Sequence, residues 1–176
     1  MKRRLFVTLF VFVMLLSSTS FAQFNPYADQ TKMLTGGVGF SGWGIPLFVR
    51  YEHPVADNIT VGGTLSFQNY SETYSSYKWK HSISGLNGRG SYHFNELLNV
   101  PDQFDLYAGA SLGYYFWNTK YEGSGDIIYS GSGAGGFSLG GYVGGRYFFS
   151  DKIAVNLEFG GGTVLAGGTL GVTFVL

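Results

Sequence analysis

The sequence predicts an all-β fold, an eight-stranded antiparallel up-and-down transmembrane β-barrel, and three observations predict it. Beyond residue 22 the apolar residues recur with a period of two, which is the period of a β-strand. Clusters of Gly, Asn, Asp, Ser and Pro separate eight such stretches. Aromatic residues make up 18 % of the chain and charged residues only 12 %, whereas about a quarter of the residues in a soluble domain are charged.

The first 22 residues are predicted to be a cleaved signal peptide, which leaves residues 23–176 as one barrel domain. The basic sequence MKRR precedes the apolar run LFVTLFVFVMLL. Ser20 and Ala22 then stand at positions −3 and −1 of a predicted cut between Ala22 and Gln23. A membrane anchor is the alternative, but the run is shorter than the roughly 20 residues that a spanning helix needs. We therefore expect an exported protein.

The strands are predicted in chain order from their alternation. Their approximate ranges are 33–41, 45–53, 59–69, 83–94, 104–117, 136–149, 153–160 and 168–176. The second strand (IPLFVRYE) has apolar residues at the odd positions from Ile45 to Tyr51, and the fifth (FDLYAGASLGYYF) has them at the even positions from Phe104 to Phe116. The seventh (IAVNLEFG) and eighth (TLGVTFVL) strands alternate in the same way. Each of these strands therefore has one apolar and one polar row.

The connections between the strands are predicted to alternate in length. Segments 54–58 and 150–152 are tight turns, whereas 70–82 and 118–135 are longer, polar loops rich in Ser, Tyr and Gly. Short turns at one end and long loops at the other are typical of outer-membrane barrels. Segment 95–103 is long for a turn of this kind.

The polar row is predicted to face the lumen, because the charged residues on it are few and of mixed sign. A water-facing surface normally carries about a quarter charged residues. Aromatic residues also crowd both strand ends, as the girdles at two lipid–water interfaces do. They are Tyr51, Tyr92, Phe94, Phe104, Tyr147 and Phe149 at the turn end, and Tyr114, Phe116 and Trp117 at the loop end. A soluble periplasmic barrel that binds an apolar ligand is the alternative.

The charged residues of the polar row are predicted to form an interior network of arginines and carboxylates, since unpaired charges in a narrow lumen are costly. They are Arg50, Glu52, Arg89, Asp105, Arg146 and Glu158. Arg146 and Glu158 lie on strands joined by the SDK turn and are predicted to be the best pair. A plug that fills the lumen and sets the strand register is the favoured role, and a proton or ion path is the alternative.

The final strand carries a pattern made by Thr169, Gly171, Phe174 and Leu176. This pattern resembles the C-terminal signal that the bacterial barrel-assembly machinery recognises, although the last residue of that signal is usually Phe or Trp. With the signal peptide and eight strands, the mature chain resembles the small eight-stranded outer-membrane proteins of the OmpA/OmpX-like β-barrel superfamily. The resemblance implies a Gram-negative outer membrane, with outer-membrane lipid, lipopolysaccharide and the assembly machinery as partners.

Function is predicted to lie in surface contact or adhesion by a monomer, through an extracellular ligand of loops 70–82 and 118–135. Their mixture of Tyr and Trp with small polar residues is typical of binding loops. The sequence contains no basic patch for nucleic acid, no cysteine, and no cluster of ligand residues spaced for a metal, so no cofactor is expected. His53 and His93 lie at the turn end and His81 in or near a loop, which disfavours catalysis. A lipid-modifying enzyme or a narrow channel is the alternative, while eight strands exclude a wide channel.

Overall fold

The computed structural model describes residues 31–41, 44–74, 77–122, 129–131, 135–162 and 167–176. A short helix, α1 (Asn95–Leu98), lies between the fourth and fifth strands. The strands are β1 (Met33–Phe40), β2 (Leu47–Ala56), β3 (Ile59–Tyr74), β4 (Tyr77–His93), β5 (Phe104–Glu122), β6 (Tyr129–Gly131), β7 (Gly136–Ser150), β8 (Ile153–Gly161) and β9 (Gly167–Val175). Within these residues, no helix is long and apolar enough to cross a membrane. The predicted signal peptide and its cut between Ala22 and Gln23 lie outside the described residues.

Eight of the strands close into an antiparallel up-and-down barrel, as predicted. β9 pairs with β1 from Met33 opposite Val175 to Phe40 opposite Gly168, and the pairing of β4 with β5 completes the ring. The remaining strand, β6, is not part of the barrel wall and pairs with the loop-side end of β5. Closure leaves the wall without a free edge, which is the condition for a sheet to exist in hydrocarbon.

The side chains alternate between the lumen and the outer surface, with charged residues inside and apolar residues outside. On β2, Phe48, Arg50 and Glu52 are 0–3 % exposed, whereas the outer Leu47, Val49 and Tyr51 are 40–58 % exposed. A soluble barrel has the opposite arrangement, because burying apolar surface away from water is what stabilises it. An apolar outer wall is stable where lipid tails surround it.

Aromatic rings cluster on the outer face at both ends of the wall, as the girdle prediction required. Their centroids lie 5.1–5.7 Å apart in edge-to-face or tilted geometry. The pairs are Tyr92 with Phe94, Phe104 with Tyr147 and Tyr147 with Phe149 at the turn end, and Tyr114 with Phe116 and Phe137 at the loop end.

Trp117 does not belong to the loop-end girdle, and its prediction there was wrong. Its indole N–H donates to Thr119 Oγ1 at 3.0 Å and to His81 Nδ1 at 3.2 Å on the inner side of the sheet. Trp117 directly follows Phe116, so the alternation of a strand turns it to the opposite face.

The segments predicted as long loops, 70–82 and 118–135, are partly strand. β3 and β4 stay paired as far as Tyr74 opposite Tyr77, and β5 extends to Glu122. Outside a membrane a strand needs no apolar row, so backbone pairing continues where the apolar alternation has stopped. The strand boundaries predicted at residues 69, 83 and 117 were therefore wrong, whereas the other ends differ from prediction by at most three residues.

The longer segment at the turn end closes through side-chain hydrogen bonds. Asn95 Oδ1 accepts from the backbone N–H of Leu106 at 2.9 Å, and Asn95 Nδ2 donates to the carbonyl of Phe104 at 2.7 Å. Asn99 ends α1 in the left-handed conformation, with φ 48°, which asparagine tolerates better than most residues. The amide of Asn95 thus binds the start of β5 in the way that a neighbouring strand would.

A spin label at Val172 tests the orientation of the wall. Val172 lies on the outer row of β9, so a label there should be relaxed by oxygen dissolved in acyl tails and protected from a water-soluble nickel complex. A label at Asp151, in the turn between β7 and β8, is the control and should show the reverse. Electron paramagnetic resonance in lipid vesicles measures both, and equal nickel accessibility at the two positions would contradict this orientation.

Candidate functional site

The six charged residues predicted for the lumen all lie inside the barrel, within six residues of strand ends at the turn end. They form one chain of alternating charge. In order along this chain they are Arg50, Glu158, Arg89, Glu52, Arg146 and Asp105. We call this chain the lumen network.

The contacts within the lumen network are buried, and all but the one between Arg89 and Glu52 are hydrogen bonds. Glu158 lies between Arg50 Nη2 at 2.7 Å and Arg89 Nη2 at 2.8 Å, one on each carboxylate oxygen. Glu52 contacts Arg146 and lies 3.8 Å from Arg89 Nε, and Arg146 Nη1 lies 2.8 Å from Asp105. Three guanidinium groups thus balance three carboxylates, and their mutual attraction offsets the cost of removing them from water.

The predicted pair of Arg146 with Glu158 is wrong. The register places Arg146 directly opposite Asn156 on β8 and directly opposite Asp105 on β5, while Glu158 is opposite Gly144. Arg146 therefore pairs with Asp105 beside it and with Glu52 from across the lumen. Sharing an inner row does not make two residues neighbours, because the offset between strands decides which side chains meet.

Neutral residues of the same inner rows complete the lumen network, although the sequence pattern did not predict them as members. The Tyr107 hydroxyl donates to Glu158 Oε2 at 2.9 Å and accepts from Asn156 Nδ2 at 2.6 Å. The guanidinium of Arg89 lies 3.8 Å from the ring centroid of Tyr142, within the range of a cation–π contact. Their position on the polar rows was the signal that could have identified them.

His93 extends the lumen network at the turn end. Its Nδ1 lies 2.8 Å from Asp105 Oδ1, and its Nε2 lies 3.0 Å from Thr60 Oγ1. A hydroxyl, an imidazole and a carboxylate in this order resemble a hydrolase triad, but all three side chains are 0–1 % exposed. A substrate has to reach the hydroxyl of a catalytic triad. This arrangement therefore connects strands rather than reacting with a substrate.

Apolar side chains and a hydroxyl pair seal the turn end of the lumen. Met33, Phe148 and Ala154 form a buried cluster that Val175 packs against. Beside it, the hydroxyls of Thr35 and Thr173 are hydrogen-bonded at 2.8 Å. The inner side chains at this end have almost no contact with solvent.

At the loop end, β3, β4 and β5 continue past the rest of the wall, and β6 pairs with β5 there. The pairing of β2 with β3 ends at Leu47 opposite Phe67, but β3 pairs with β4 for seven further residues, which is roughly 23 Å of strand. We define the projecting sheet as residues 68–74, 77–82, 118–122 and 129–131. Its base carries the half-buried Tyr70, whose ring is stacked on His81 with centroids 4.6 Å apart.

Comparison with known proteins identifies the fold. Neisserial surface protein A matches with a TM-score of 0.54 and 10 % identity, covering 83 % of this chain and 95 % of that one. The Yersinia pestis outer membrane protein Ail, in a phospholipid bilayer nanodisc, matches with a TM-score of 0.52 and 12 % identity, covering 84 % and 99 %. The chain has the eight-stranded outer-membrane barrel fold. No protein-family model and no curated protein matches the chain.

In this outer-membrane barrel fold, the predicted assembly-signal residues are divided between the two faces of β9. Thr169 and Gly171 face the lumen, whereas Phe174 and Leu176 are exposed on the outer face. A Cβ at Gly171 would lie 2.8 Å from the carbonyl oxygen of Gly36 on the neighbouring strand, so glycine allows β9 to approach β1 closely.

Metal binding finds no support in the part of the chain that the structure describes. Within it, no group of three or more His, Cys, Asp or Glu side chains is arranged to hold a metal ion. The carboxylates of the lumen network contact arginines instead.

The substitution Glu158→Gln tests the lumen network. It removes the charge that balances Arg50 and Arg89, and breaking a buried ion pair in this way costs about 3 kcal/mol or more. The urea midpoint of the refolded barrel, measured by fluorescence in lipid vesicles, should therefore fall. Glu96→Gln is the matched control, because Glu96 is exposed in α1 and its one exposed hydrogen bond, from Asn58 Nδ2 at 2.8 Å, can also be accepted by a glutamine oxygen. It should change stability by less than about 0.5 kcal/mol. Equal midpoints for the two variants would contradict a stabilising network.

Tyr107→Phe tests the neutral part of the lumen network. The variant keeps the ring but removes a donor to Glu158 and an acceptor for Asn156, so we expect a loss of about 1–3 kcal/mol. Tyr147→Phe, on the outer face, is the control and should leave the urea midpoint nearly unchanged. If Tyr147→Phe destabilises the barrel as much as Tyr107→Phe does, the hydroxyl of Tyr107 has no special role.

Proposed function

We propose that this chain is an exported, monomeric barrel of the bacterial outer membrane, without enzymatic activity, whose role is contact with other surfaces through the projecting sheet. The apolar outer belt between two aromatic girdles suits a bilayer. Outer-membrane lipid and lipopolysaccharide would surround that belt. β9, with its outward Phe174 and Leu176, would be the strand offered to the barrel-assembly machinery.

The proposal is supported by the side of β3 that faces away from β4 along residues 71–74, above the wall. The pairing of β3 with β2 ends at Phe67, and the turn between β1 and β2 lies beside Asn69 and Tyr70. Along residues 71–74, the described strand that pairs with β3 is β4. An edge strand presents backbone N–H and C=O groups that another polypeptide can pair with. We infer that the extracellular ligand is a protein that adds a strand at this edge.

The residue types of the projecting sheet support a role in binding. Residues 70–82 contain Tyr70, Tyr74, Tyr77 and Trp79 among serines and lysines. Rigid aromatic side chains give contact area at a low entropic cost, and small polar residues add adaptable hydrogen bonds. A segment that served only to connect β3 to β4 would need neither this length nor these aromatic residues.

The names of the similar barrels agree with this proposal, but the proposal is not based on them. One is called a surface protein, and the other belongs to the attachment invasion locus of Yersinia pestis. At 10–12 % identity the likeness is one of fold, and the same fold serves many roles. The inaccessible hydroxyl of Thr60 supports the absence of catalysis at His93.

A shortened hairpin tests the proposal. Tyr70 and His81 are directly opposite each other, so residues 71–80 can be replaced by Asn-Gly, which favours a two-residue turn. Bacteria that display the full chain should adhere to a surface coated with extracellular-matrix proteins, and the shortened variant should lose this adhesion. Heat-modifiable gel mobility confirms that the barrel still assembles.

The second hairpin provides the matched control. Thr119 is opposite Gly131, so replacing residues 120–130 by Asn-Gly removes β6 but keeps the edge of β3. This variant should retain most of the adhesion. Adhesion that survives loss of residues 71–80, or that is equally lost in both variants, would contradict a binding site at the β3 edge.

A further inference from the structure

The segment between β4 and β5 is longer than the other two turns described at the turn end. Asp57 and Asn58 alone join β2 to β3, and Asp151 and Lys152 alone join β7 to β8, whereas residues 94–103 separate β4 from β5. All four residues of α1 in this segment are described, and none of them is buried. The helix therefore adds no packing to the interior of the barrel.

The helix α1 presents two adjacent leucines to its surroundings. Leu97 is 67 % exposed and Leu98 is 59 % exposed. Turns normally contain Gly, Pro, Asn, Asp and Ser, and exposing two neighbouring leucine side chains to water is unfavourable. The fold gives no reason for leucine at these two positions, so a partner outside the chain has to be considered.

Hydrogen bonds hold α1 in a fixed orientation. Asn95 binds the start of β5, and Glu96 Oε2 accepts from Asn58 Nδ2 at 2.8 Å. The backbone N–H of Leu98 donates to the carbonyl of Phe94 at 2.9 Å. With 3.6 residues per turn, consecutive side chains of a helix point about 100° apart. Asn95 and Glu96 thus take the directions toward the barrel, and the two leucines take the directions away from it.

The residues on either side of the segment place α1 beside the turn-end girdle. Phe94, directly before α1, has its ring centroid 5.1 Å from that of Tyr92. Phe104, at the start of β5, has its ring centroid 5.1 Å from that of Tyr147. Aromatic girdles lie at the lipid–water interface. Because a helix of four residues is only about 6 Å long, its leucines stay close to that interface.

The two tight turns also bring apolar side chains to this rim. The register between β2 and β3 shifts between Pro54 and Ala56 and leaves Val55 as an extra residue, and the register between β7 and β8 shifts in the same way around Phe149. Val55 is 56 % exposed and Phe149 is 49 % exposed. Bulges of this kind re-aim a side chain at the end of a strand. The three turns described at this end thus all present exposed apolar residues near the girdle.

We propose that α1 is a lipid anchor, with Leu97 and Leu98 inserted into the boundary between headgroups and acyl chains of the leaflet at the turn end. A leucine side chain has no polar atom that could bind a headgroup, so it enters the hydrocarbon. Asp102, which is exposed in the same segment, remains in water. The anchor fixes how deeply the turn end lies in the leaflet. It does not depend on the projecting sheet, but it requires that the wall lies in a bilayer.

A fluorescent label on single cysteines tests the anchor, because the native chain contains no cysteine. The environment-sensitive dye NBD is attached to Leu98→Cys in the full chain, refolded into phospholipid nanodiscs that leave both ends accessible. Lipids with a nitroxide near the start of the acyl chain quench a label in the leaflet, and iodide quenches a label in water. Asp102→Cys is the matched control from the same segment, and Val172→Cys is the positive control for the wall.

The nitroxide lipid should quench the Leu98 label at least about twofold more than the Asp102 label, because apolar interfacial side chains lie about 5–10 Å into the headgroup–acyl boundary. Iodide should quench the two labels in the reverse order. If Leu98→Cys does not refold, Leu97→Cys replaces it.

A Leu98 label that iodide and the nitroxide lipid quench no differently from the Asp102 label would overturn the anchor, because the leucines would then project into water. That result leaves the position of the wall intact if the Val172 label is quenched by the nitroxide lipid. A Val172 label that this lipid does not quench would overturn both the position of the wall in a bilayer and the anchor.

Discussion

Every backbone N–H and C=O group within hydrocarbon has to be hydrogen-bonded inside the protein, and the structure depends on this constraint. A sheet meets it only by closing, which the pairing of β1 with β9 achieves. Closure with lipid outside then assigns the faces, because the row that touches acyl tails has to be apolar. The inner row receives the polar residues that remain, and a narrow lumen lined with charge follows from the same constraint.

A lumen of this width holds charges only when they neutralise one another. The lumen network does so by alternation, so that Glu158 lies between two arginines and Arg146 between two carboxylates. These contacts join β2, β4, β5, β7 and β8 across the interior. A buried ion pair does not stabilise a fold more than apolar packing would, but it penalises a shifted register, since a shift would leave charges unpaired. The ion pairs therefore specify how the strands align.

Above the membrane the constraint is relaxed, and the strands change character. Water can satisfy an edge there, so β3 stays paired with β4 along residues 71–74, beyond both its pairing with β2 and the turn between β1 and β2. Because no lipid surrounds these residues, polar and aromatic residues can replace the apolar row. The barrel thus has a sealed turn end and a projecting sheet, and the projecting sheet is the part that lipid does not surround.

The sequence by itself determined which face of each strand is apolar and which is polar, because alternation with period two is a local property of each strand. It placed the six charges inside and the apolar row of β9 outside, and eight such strands in lipid have to close. Only the tertiary structure decided which charges meet, since Arg50 and Glu158 are 108 residues apart and Arg146 faces Asp105 through the strand register. The tertiary structure also decided where β3, β4 and β5 end at the loop side, because pairing between polar strands leaves no apolar pattern in either strand.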